Sequence, residues 1–396
     1  MANHQGKSID VTVFGATGFT GRLVAQYLAK TYPTGSGLSW AMAGRSADKL
    51  ATVRDEIGAP AETPLIVADS ADTASLEAMA AQSKVILTTV GPYQIYGNEL
   101  VEVCTRTGTD YVDLCGEPAW MHDIVVNHHT TAQASGARIV LSCGFDSVPF
   151  DLGVLFLQHQ ALARYGKPFS RVDGRVVRMK GTWSGGTSAS FKATMAAAAS
   201  NPEIIPILKN AFALTPGFEG PKQPSMSKPR EDDAVQGQWV APFMMAPINT
   251  KNVHRSNFLL DHAWGQAFQY SEMMLCGAGE EGEARAQRLA GLGSAMVGDK
   301  TPKPGQGPSL EERENGFYNL IFVGRNDSGD SLTAQVQGDR DPGYGSTSKM
   351  IAESAVCLVL DRTDTRGGVW TTAPAMGQAL IDRLQAHAGL SFTLVA

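Results

Sequence analysis

The chain has 396 residues, more than a single hydrophobic core usually supports, so we expect two domains that need no disulfide support. Its formal net charge of −6 and the scatter of its basic residues argue against a nucleic-acid-binding protein. The five cysteines are widely spaced, with no histidine at ligand spacing, so we predict reduced thiols and no metal site.

The first residues lack the features of a targeting segment. Residues 1–7 have no apolar signal-peptide core, and no uninterrupted apolar run reaches the length of a spanning helix. We therefore expect a cytoplasmic protein without a transmembrane segment. Peripheral contact with a membrane needs just a short apolar patch and stays open, as does a homodimer.

The most informative segment is a glycine turn, GATGFTG at 15–21, between the apolar run 9–14 and a helix-like segment. The first glycine permits a tight turn, the second lets the backbone approach a pyrophosphate, and the third lets helix and strand pack closely. The order of strand, turn and helix predicts a dinucleotide site. Its residues are Gly15, Ala16, Thr17, Gly18, Phe19, Thr20 and Gly21.

Short apolar runs then alternate with helix-like segments as far as residue 142. Near-continuous hydrophobicity is typical of parallel strands that are buried on both faces. The predicted strands are 38–43, 64–68, 85–89, 110–114 and 137–142, and the predicted helices are 46–57, 73–82, 98–107 and 118–135. This alternation predicts an α/β fold with a Rossmann-type doubly wound parallel sheet over residues 1–150.

From Ser170 the pattern changes to strands with one wetter face. The predicted strands are 171–180, 317–323 and 331–337, and Pro-rich surface loops are predicted at 216–229 and 300–308. We expect a second, α+β domain for substrate binding and dimerisation at 151–345. It would be an insertion before a C-terminal segment, 346–396, whose helical run 349–360 returns to the Rossmann domain.

The residues after the second and third strands bear on the choice of cofactor. An acidic residue after the second strand would select NAD, but the chain has Arg45 and Ser46 there. Arg45 can pair with a 2′-phosphate, and Ser46 can donate to it and cap the next helix, so we predict NADP. The alternative is a plain turn with a solvated arginine. Asp69, after the third strand, is predicted to border the adenine, to cap the next helix, or both.

Three later turns fall on the carboxyl edge of the same sheet, where ligands of open α/β sheets bind. Gly91 and Pro92 are predicted to border the nicotinamide, with Tyr93 as a proton donor or an aromatic plug. Glu117 and Asp146 are candidate acids, bases or substrate-orienting groups. The alternative is that Asp146 or Ser147 caps the next helix.

Two segments of the second domain gather polar groups. The paired glycines at 183–188 fit an anion-binding concavity or a plain turn. In the segment 249–256, Arg255 is a candidate ligand for an acidic part of the substrate. His254 is a candidate proton donor, with a structural histidine as the alternative.

Several of these motifs together resemble the saccharopine dehydrogenase-like oxidoreductases. They are VFGATGFTG at 13–21, AGR at 43–45, VGPY at 90–93, YVDLCGE at 111–117 and CGFDSVP at 143–149. Farther along, APINT at 246–250, VHRSN at 253–257 and GYGSTSKM at 343–350 resemble the branch of the family that includes trans-acting enoyl reductases of actinobacterial lipid synthesis.

The resemblance implies an NADP-binding Rossmann domain joined to an α/β substrate domain. In the enoyl reductase branch it implies hydride delivery to a carbon–carbon double bond of a polyketide-derived acyl chain. It assigns Gly15, Gly18 and Gly21 to the pyrophosphate, Arg45 and Ser46 to the 2′-phosphate, and Gly91 and Pro92 to the nicotinamide. It implies no proton donor.

Three hypotheses result. The first is an NADPH-dependent reductase of an activated double bond in an acyl or polyketide-type substrate, with Tyr93 or His254 as proton donor. The second is a saccharopine-type C–N oxidoreductase, which needs arginines for its substrate carboxylates. The candidates for that role are Arg171, Arg175, Arg178 and Arg255. The third is a non-catalytic NADP-binding adaptor or lipid-surface protein.

Overall fold

The computed structural model of the protein describes residues 4–182, 185–291 and 307–395, without the side chains of 185–188. Residues 183 and 184 of the predicted anion concavity, the side chains of its residues 185–188 and most of the predicted loop at 300–308 lie outside this description. Within it, the strands form two seven-stranded sheets. In the described part of the chain, no helix combines the length and apolarity needed to cross a membrane.

The first sheet is parallel throughout and has the strand order of dinucleotide-binding folds. Its strands are β1 (Ile9–Phe14), β2 (Trp40–Gly44), β3 (Leu65–Val67), β4 (Ser83–Thr88), β5 (Asp110–Val112), β6 (Arg138–Val140) and β13 (Gly368–Trp370). Their order is β3-β2-β1-β4-β5-β6-β13. The order reverses between β1 and β4, and the ligand crevice of such sheets opens at that point. The predicted Rossmann-type fold is confirmed.

The helices of this half begin and end at local sequence signals. They are α1 (Phe19–Thr31), α2 (Ala47–Glu56), α3 (Thr73–Gln82), α4 (Tyr93–Tyr96), α5 (Asn98–Thr107), α6 (Pro118–Ser135) and α7 (Val148–Tyr165). Side-chain oxygens of Ser46 and Asp72 cap α2 and α3. Helices α5 and α6 end at Gly108 and Gly136, which adopt the left-handed conformation that glycine favours.

The second sheet is mixed. Its strands are β7 (Arg171–Lys180), β8 (Arg230–Glu231), β9 (Gln238–Pro242), β10 (Gln269–Ala278), β11 (Phe317–Arg325), β12 (Ser331–Gly338) and β14 (Leu390–Leu394). Their order is β14-β12-β11-β7-β10-β9-β8, with β7 and β10 parallel and the other pairs antiparallel. The remaining α-helices are α8 (Gly185–Ser200), α9 (Ile204–Lys209), α10 (Ala246–Leu259), α11 (Gly279–Gly291), α12 (Leu310–Glu314), α13 (Thr347–Leu360) and α14 (Thr372–Arg383).

The two halves share one hydrophobic core, which includes residues of both sheets and of the helices between them. Helix α7 packs closely on the second sheet, because a Cβ on Gly153 would lie 2.3 Å from the Phe322 ring. Near the C-terminus, α13 packs on α1, β1 and β4, and β13 pairs with β6. The predicted domain limits at 150 and 345 stay predictions.

Candidate cofactor and substrate site

The glycine turn after β1 has a geometry that side chains would disrupt. Gly15 has a φ of +89°, and a Cβ there would lie 2.8 Å from Val90 Cγ2. A Cβ on Gly21 would lie 2.1 Å from the Gly15 carbonyl oxygen, so the helix packs tightly on the turn. Gly18 is the N-cap of α1, and the first turn of that helix has no acidic side chain. The amides at the start of α1 can therefore donate to an anion such as a pyrophosphate, whereas those of Gly15, Ala16 and Gly18 already donate to main-chain carbonyls.

The segment 342–347 of the second half packs against this turn and against the turn after β6. The ring of Phe19 packs edge to face against the ring of Tyr344, with 5.2 Å between the ring centroids. The side chain of Phe19, a predicted cofactor residue, therefore contacts the segment 342–347. The Phe145 amide donates to Thr347 Oγ1 at 2.9 Å. The segment 342–347 therefore forms one wall of the ligand crevice at the carboxyl edge of the parallel sheet.

Arg45 and Ser46 lie beside the glycine turn at the end of β2. A Cβ on Gly44 would lie 3.7 Å from Thr17 Oγ1. The Arg45 side chain is exposed, and no described carboxylate forms an ion pair with it, so it can receive a phosphate. Ser46 Oγ accepts the Lys49 amide at 3.3 Å, which is the predicted cap.

Asp69 follows β3, but it does not cap the next helix. Its carboxylate accepts the Ala71 amide at 3.0 Å, whereas Asp72 accepts the amides at the start of α3. The capping alternative for Asp69 is therefore wrong. Asp69 directly follows β3, and its role beside the adenine stays a prediction.

Glu117 fixes the segment that follows β4. Its Oε1 accepts the Tyr93 amide at 2.9 Å and Ser190 Oγ at 2.8 Å, and its Oε2 accepts the Gln94 amide at 2.9 Å. Both carboxylate oxygens are thus engaged, and the side chain is buried. This arrangement favours a positioning role over direct contact with substrate, because Glu117 holds the predicted nicotinamide segment and connects it to α8.

The surroundings of Tyr93 fit the second predicted role, a buried aromatic side chain that fills space. Its hydroxyl donates to the Thr88 carbonyl at 3.3 Å and accepts the Leu114 amide at 3.0 Å, and its ring packs 5.6 Å from Trp120. Burial holds the pKa of this hydroxyl well above its ordinary value. These contacts disfavour the predicted role of Tyr93 as proton donor.

His254 lies in an aromatic environment on α10. Its ring packs 4.4 Å from Phe212 and 6.0 Å from Phe268, and its Nε2 is buried without a partner. Burial, with the charge of Lys251, lowers its pKa to about 3, so the imidazole is neutral at physiological pH. It lies two residues, or about 200° around the helix, from the side that contacts the Asp146 turn. The predicted role as proton donor is therefore disfavoured.

Arg255 is a structural link. Its guanidinium donates to the carbonyls of Leu214 and Val369, both at 2.5 Å, and the residue is 2% exposed. Burial lowers its pKa to about 9. These contacts disfavour the prediction that Arg255 binds an acidic part of the substrate, since main-chain carbonyls from two distant segments accept from both of its terminal nitrogens.

Asp146 is the predicted acid whose carboxyl group stays available. It is partly exposed in the turn between β6 and α7, and its Oδ1 is buried without a partner. Ser147 is the N-cap residue of helix α7, without a side-chain capping bond, so the capping alternative is wrong for Asp146. Burial raises the pKa of Asp146 to about 7. The group can thus exchange a proton at neutral pH.

A buried carboxyl group, Glu272, and the two side chains that donate to it were not among the predicted site residues. Asn249 Nδ2 donates to Glu272 Oε1 at 2.7 Å, and Tyr270 donates its hydroxyl to Glu272 Oε2 at 2.9 Å. Burial, together with the charge of Asp146, raises the pKa of Glu272 to about 8. The available signal was a lone carboxylate within the largely apolar strand 269–278.

The cysteines offer neither a nucleophile nor a metal site. All five are buried and unpaired. Burial raises the thiol pKa of Cys115 and of Cys143, at the same sheet edge, well above the ordinary value. Among the residues that the structure describes, no group of three His, Cys, Asp or Glu side chains could hold a metal ion.

Comparisons with known proteins agree with this geometry. A family model described as "Saccharopine dehydrogenase NADP binding domain" matches residues 11–140. A candidate trans-acting enoyl reductase of Mycobacterium tuberculosis is 40% identical over 411 residues, with 97% of each chain covered. A trans-acting enoyl reductase of Mycobacterium bovis is 37% identical over 405 residues, with 96% of each covered. Saccharopine dehydrogenase of Saccharomyces cerevisiae is 13% identical, has a TM-score of 0.55 and covers 99% of this chain and 100% of its own, so it shares the fold.

Proposed function

Since the chain belongs to the trans-acting enoyl reductase family and carries a saccharopine dehydrogenase NADP-binding domain, we propose that it reduces an activated carbon–carbon double bond. The substrate would be an acyl or polyketide-type chain. NADPH supplies the hydride when it is bound. The protein is accordingly an NADP-dependent oxidoreductase.

Different residues of the crevice would contact different parts of the cofactor. The amides at the start of α1 would bind the pyrophosphate, and Arg45 the 2′-phosphate. Gly91 and Pro92 would border the nicotinamide, held in place by the contacts of Glu117 with the Tyr93 and Gln94 amides.

Asp146 is our candidate for the proton donor. Reduction of an enoyl group adds a hydride to the β-carbon and a proton to the α-carbon. Asp146 lies on the carboxyl edge of the sheet, and its pKa near 7 keeps a large fraction of the carboxyl protonated at neutral pH. Asp146 would give its proton to the α-carbon and take another from solvent.

The choice of substrate class rests on the hydrogen-bond partners of the four arginines that could bind substrate carboxylates. Arg171 donates to Asp173 and Asp233, Arg175 donates to Asp232, Arg255 donates to main-chain carbonyls, and Arg178 is exposed over the Phe317 ring. A saccharopine-type substrate carries several carboxylates, each of which needs a cation when it is bound away from water. Three of the four guanidiniums are committed to partners within the protein. A substrate without free carboxylates, such as an enoyl thioester, fits this arrangement better.

The test is NADPH oxidation with a panel of enoyl thioesters of increasing chain length, with imino and keto acids as controls. We expect turnover with enoyl thioesters alone, and its loss in Asp146→Asn with NADPH affinity retained. Turnover with the imino or keto acids alone would support the C–N reaction instead. NADPH binding without oxidation by any substrate would support the adaptor hypothesis.

The finer attributes of this function follow from its chemistry. The reaction saturates an acyl chain, which assigns the enzyme to lipid metabolism. The five unpaired cysteines support a cytoplasmic location, where thiols stay reduced. Fractionation of cells that produce the protein tests this location, and enrichment in the membrane fraction would indicate peripheral contact with lipid.

A further inference from the structure

Two side chains of the second half of the molecule hold the residues on either side of Asp146. Thr347 Oγ1, at the start of α13, accepts the Phe145 amide at 2.9 Å. Asn252 Nδ2, on α10, donates to Ser147 Oγ at 2.8 Å. Because Phe145 and Ser147 are the chain neighbours of Asp146, the turn is supported both before and after this residue.

The hydroxyl of Thr347 is fixed in direction as well as in place. It donates to the Pro342 carbonyl at 2.7 Å, so its hydrogen points away from the turn and its lone pairs are left for the Phe145 amide. The methyl group of Thr347 also packs on the turn, since a Cβ on Gly144 would lie 3.1 Å from Thr347 Cγ2. Thr347 therefore holds the turn by a directed hydrogen bond and by close packing.

The bond between Asn252 and Ser147 is buried and joins distant parts of the chain. Both residues are 1% exposed, and they lie 105 positions apart in the sequence. Helix α10, which carries Asn252, is buried from Ile248 to Asn257. A packed helix is a rigid support, and water cannot reach this bond to replace either partner. The loss of Asn252 would therefore leave Ser147 free to shift.

The carboxyl group of Asp146 depends on this support for its direction. Its Oδ1 is buried and has no hydrogen-bond partner among the described residues, so the main chain on either side determines where it points. Proton transfer needs a donor at close approach to the accepting atom, and a misplacement of about 1 Å can slow a reaction about 100-fold. The contacts of Phe145 and Ser147 are thus the points at which the second half can control a proton donor at position 146.

We propose that Asn252 and Thr347 are positioning residues, which hold the Asp146 carboxyl in place for proton transfer to the substrate α-carbon. The proposal rests on the proposed function of Asp146. Neither residue gives a proton to the substrate. Both act through the main chain of the turn, so their loss should slow the protonation step and leave the binding of substrate and NADPH nearly unchanged.

The first test compares Thr347→Val and Asn252→Leu with the unmodified protein, because each variant keeps the approximate size of the side chain and removes the bond. We expect kcat with an enoyl thioester to fall about 10- to 100-fold, with little change in KM. The solvent deuterium isotope effect on kcat should rise, because protonation becomes the slow step. The isotope effect of NADPH deuterated at the transferred position should fall. Thr347→Ser keeps the hydroxyl and should retain the rate of the unmodified protein.

The matched control is Thr250→Val. Its hydroxyl is also buried on α10, but it donates to the Ala246 carbonyl within the same helix. This variant should change neither kcat nor the two isotope effects. If Thr347→Val and Asn252→Leu behave like Thr250→Val, or if they lower kcat without raising the solvent isotope effect, the proposal is overturned.

Hydrogen exchange of the Phe145 amide needs no substrate and separates this proposal from the proposed function. Without its bond to Thr347 Oγ1, the amide should exchange about 2- to 12-fold faster in Thr347→Val, and Thr347→Ser should exchange at the original rate. Faster exchange in a protein that reduces no enoyl thioester would refute the proposed function and leave the support of the turn in place. Unchanged exchange in Thr347→Val would overturn the positioning role of Thr347.

Discussion

The contacts of Glu117 give the sharpest quantitative prediction. Glutamine at this position keeps one acceptor oxygen and turns an NH2 group towards a main-chain donor. Because Oε1 accepts two donors and Oε2 one, the amide should keep its oxygen at the Oε1 position. The Gln94 amide then loses its partner. A hydrogen bond to a charged group contributes about 1.5–3 kcal/mol, which is the expected cost of Glu117→Gln.

This cost should appear mainly in cofactor binding. The lost bond anchors the segment 91–94, which must be ordered to border the nicotinamide, so the Kd for NADPH should rise about 10- to 150-fold. Fluorescence titration with NADPH measures the Kd, and urea unfolding measures the global stability. The matched control is Glu102→Gln, an exposed glutamate on α5. If Glu117→Gln changes the Kd for NADPH and the global stability as little as Glu102→Gln does, Glu117 does not position the segment 91–94.

Four further predictions concern other parts of the crevice. Arg45→Ala should weaken NADPH binding by about 1.5–3 kcal/mol and leave NADH binding nearly unchanged, and an equal loss for both would remove the assignment of the 2′-phosphate. Gly21→Ala places a Cβ 2.1 Å from a carbonyl oxygen and should abolish NADPH binding. A Cβ on Gly291 would meet no described atom within 4 Å, so Gly291→Ala should be tolerated in thermal melts. Asp146 has a folded pKa of about 7, above its unfolded value of 3.8, so its contribution to stability falls as pH rises between these values, by about 4 kcal/mol at most. Asp146→Asn should therefore unfold at a higher temperature than the unmodified protein at pH 8 and show a flatter pH dependence. His254→Phe should leave the pH profile of kcat unchanged, since the imidazole is neutral throughout, and a lost limb would restore it as a donor.

The limits of helices and strands that end at capping residues or glycines nearby in the sequence could be predicted accurately. The predicted helices 73–82, 98–107 and 118–135 and the predicted strand 171–180 have the same limits in the structure. Their ends are set by neighbouring residues, such as the Asp72 cap and the glycine at 136. The glycine turn is equally local, because its three glycines meet one another and the adjacent strand.

The site in the second half depends on partners that are distant in sequence. The segment 249–256 is polar and basic, and we predicted a ligand-binding surface, yet α10 is buried. The two terminal nitrogens of Arg255 donate to carbonyls 41 and 114 residues away. Glu272 likewise has its hydrogen-bond partner Asn249 on a different element, and no spacing rule connects the two residues. Long-range packing of this kind leaves no periodic pattern to detect.

The two short strands near the C-terminus have a consequence for biosynthesis. Strand β13 completes one edge of the parallel sheet, and β14 completes one edge of the mixed sheet. Until residues 368–394 have been synthesised, both β6 and β12 present unpaired backbone to other nascent chains. Neither sheet is complete without these strands, so a fragment truncated near residue 365 should aggregate and should not be a usable cofactor-binding half.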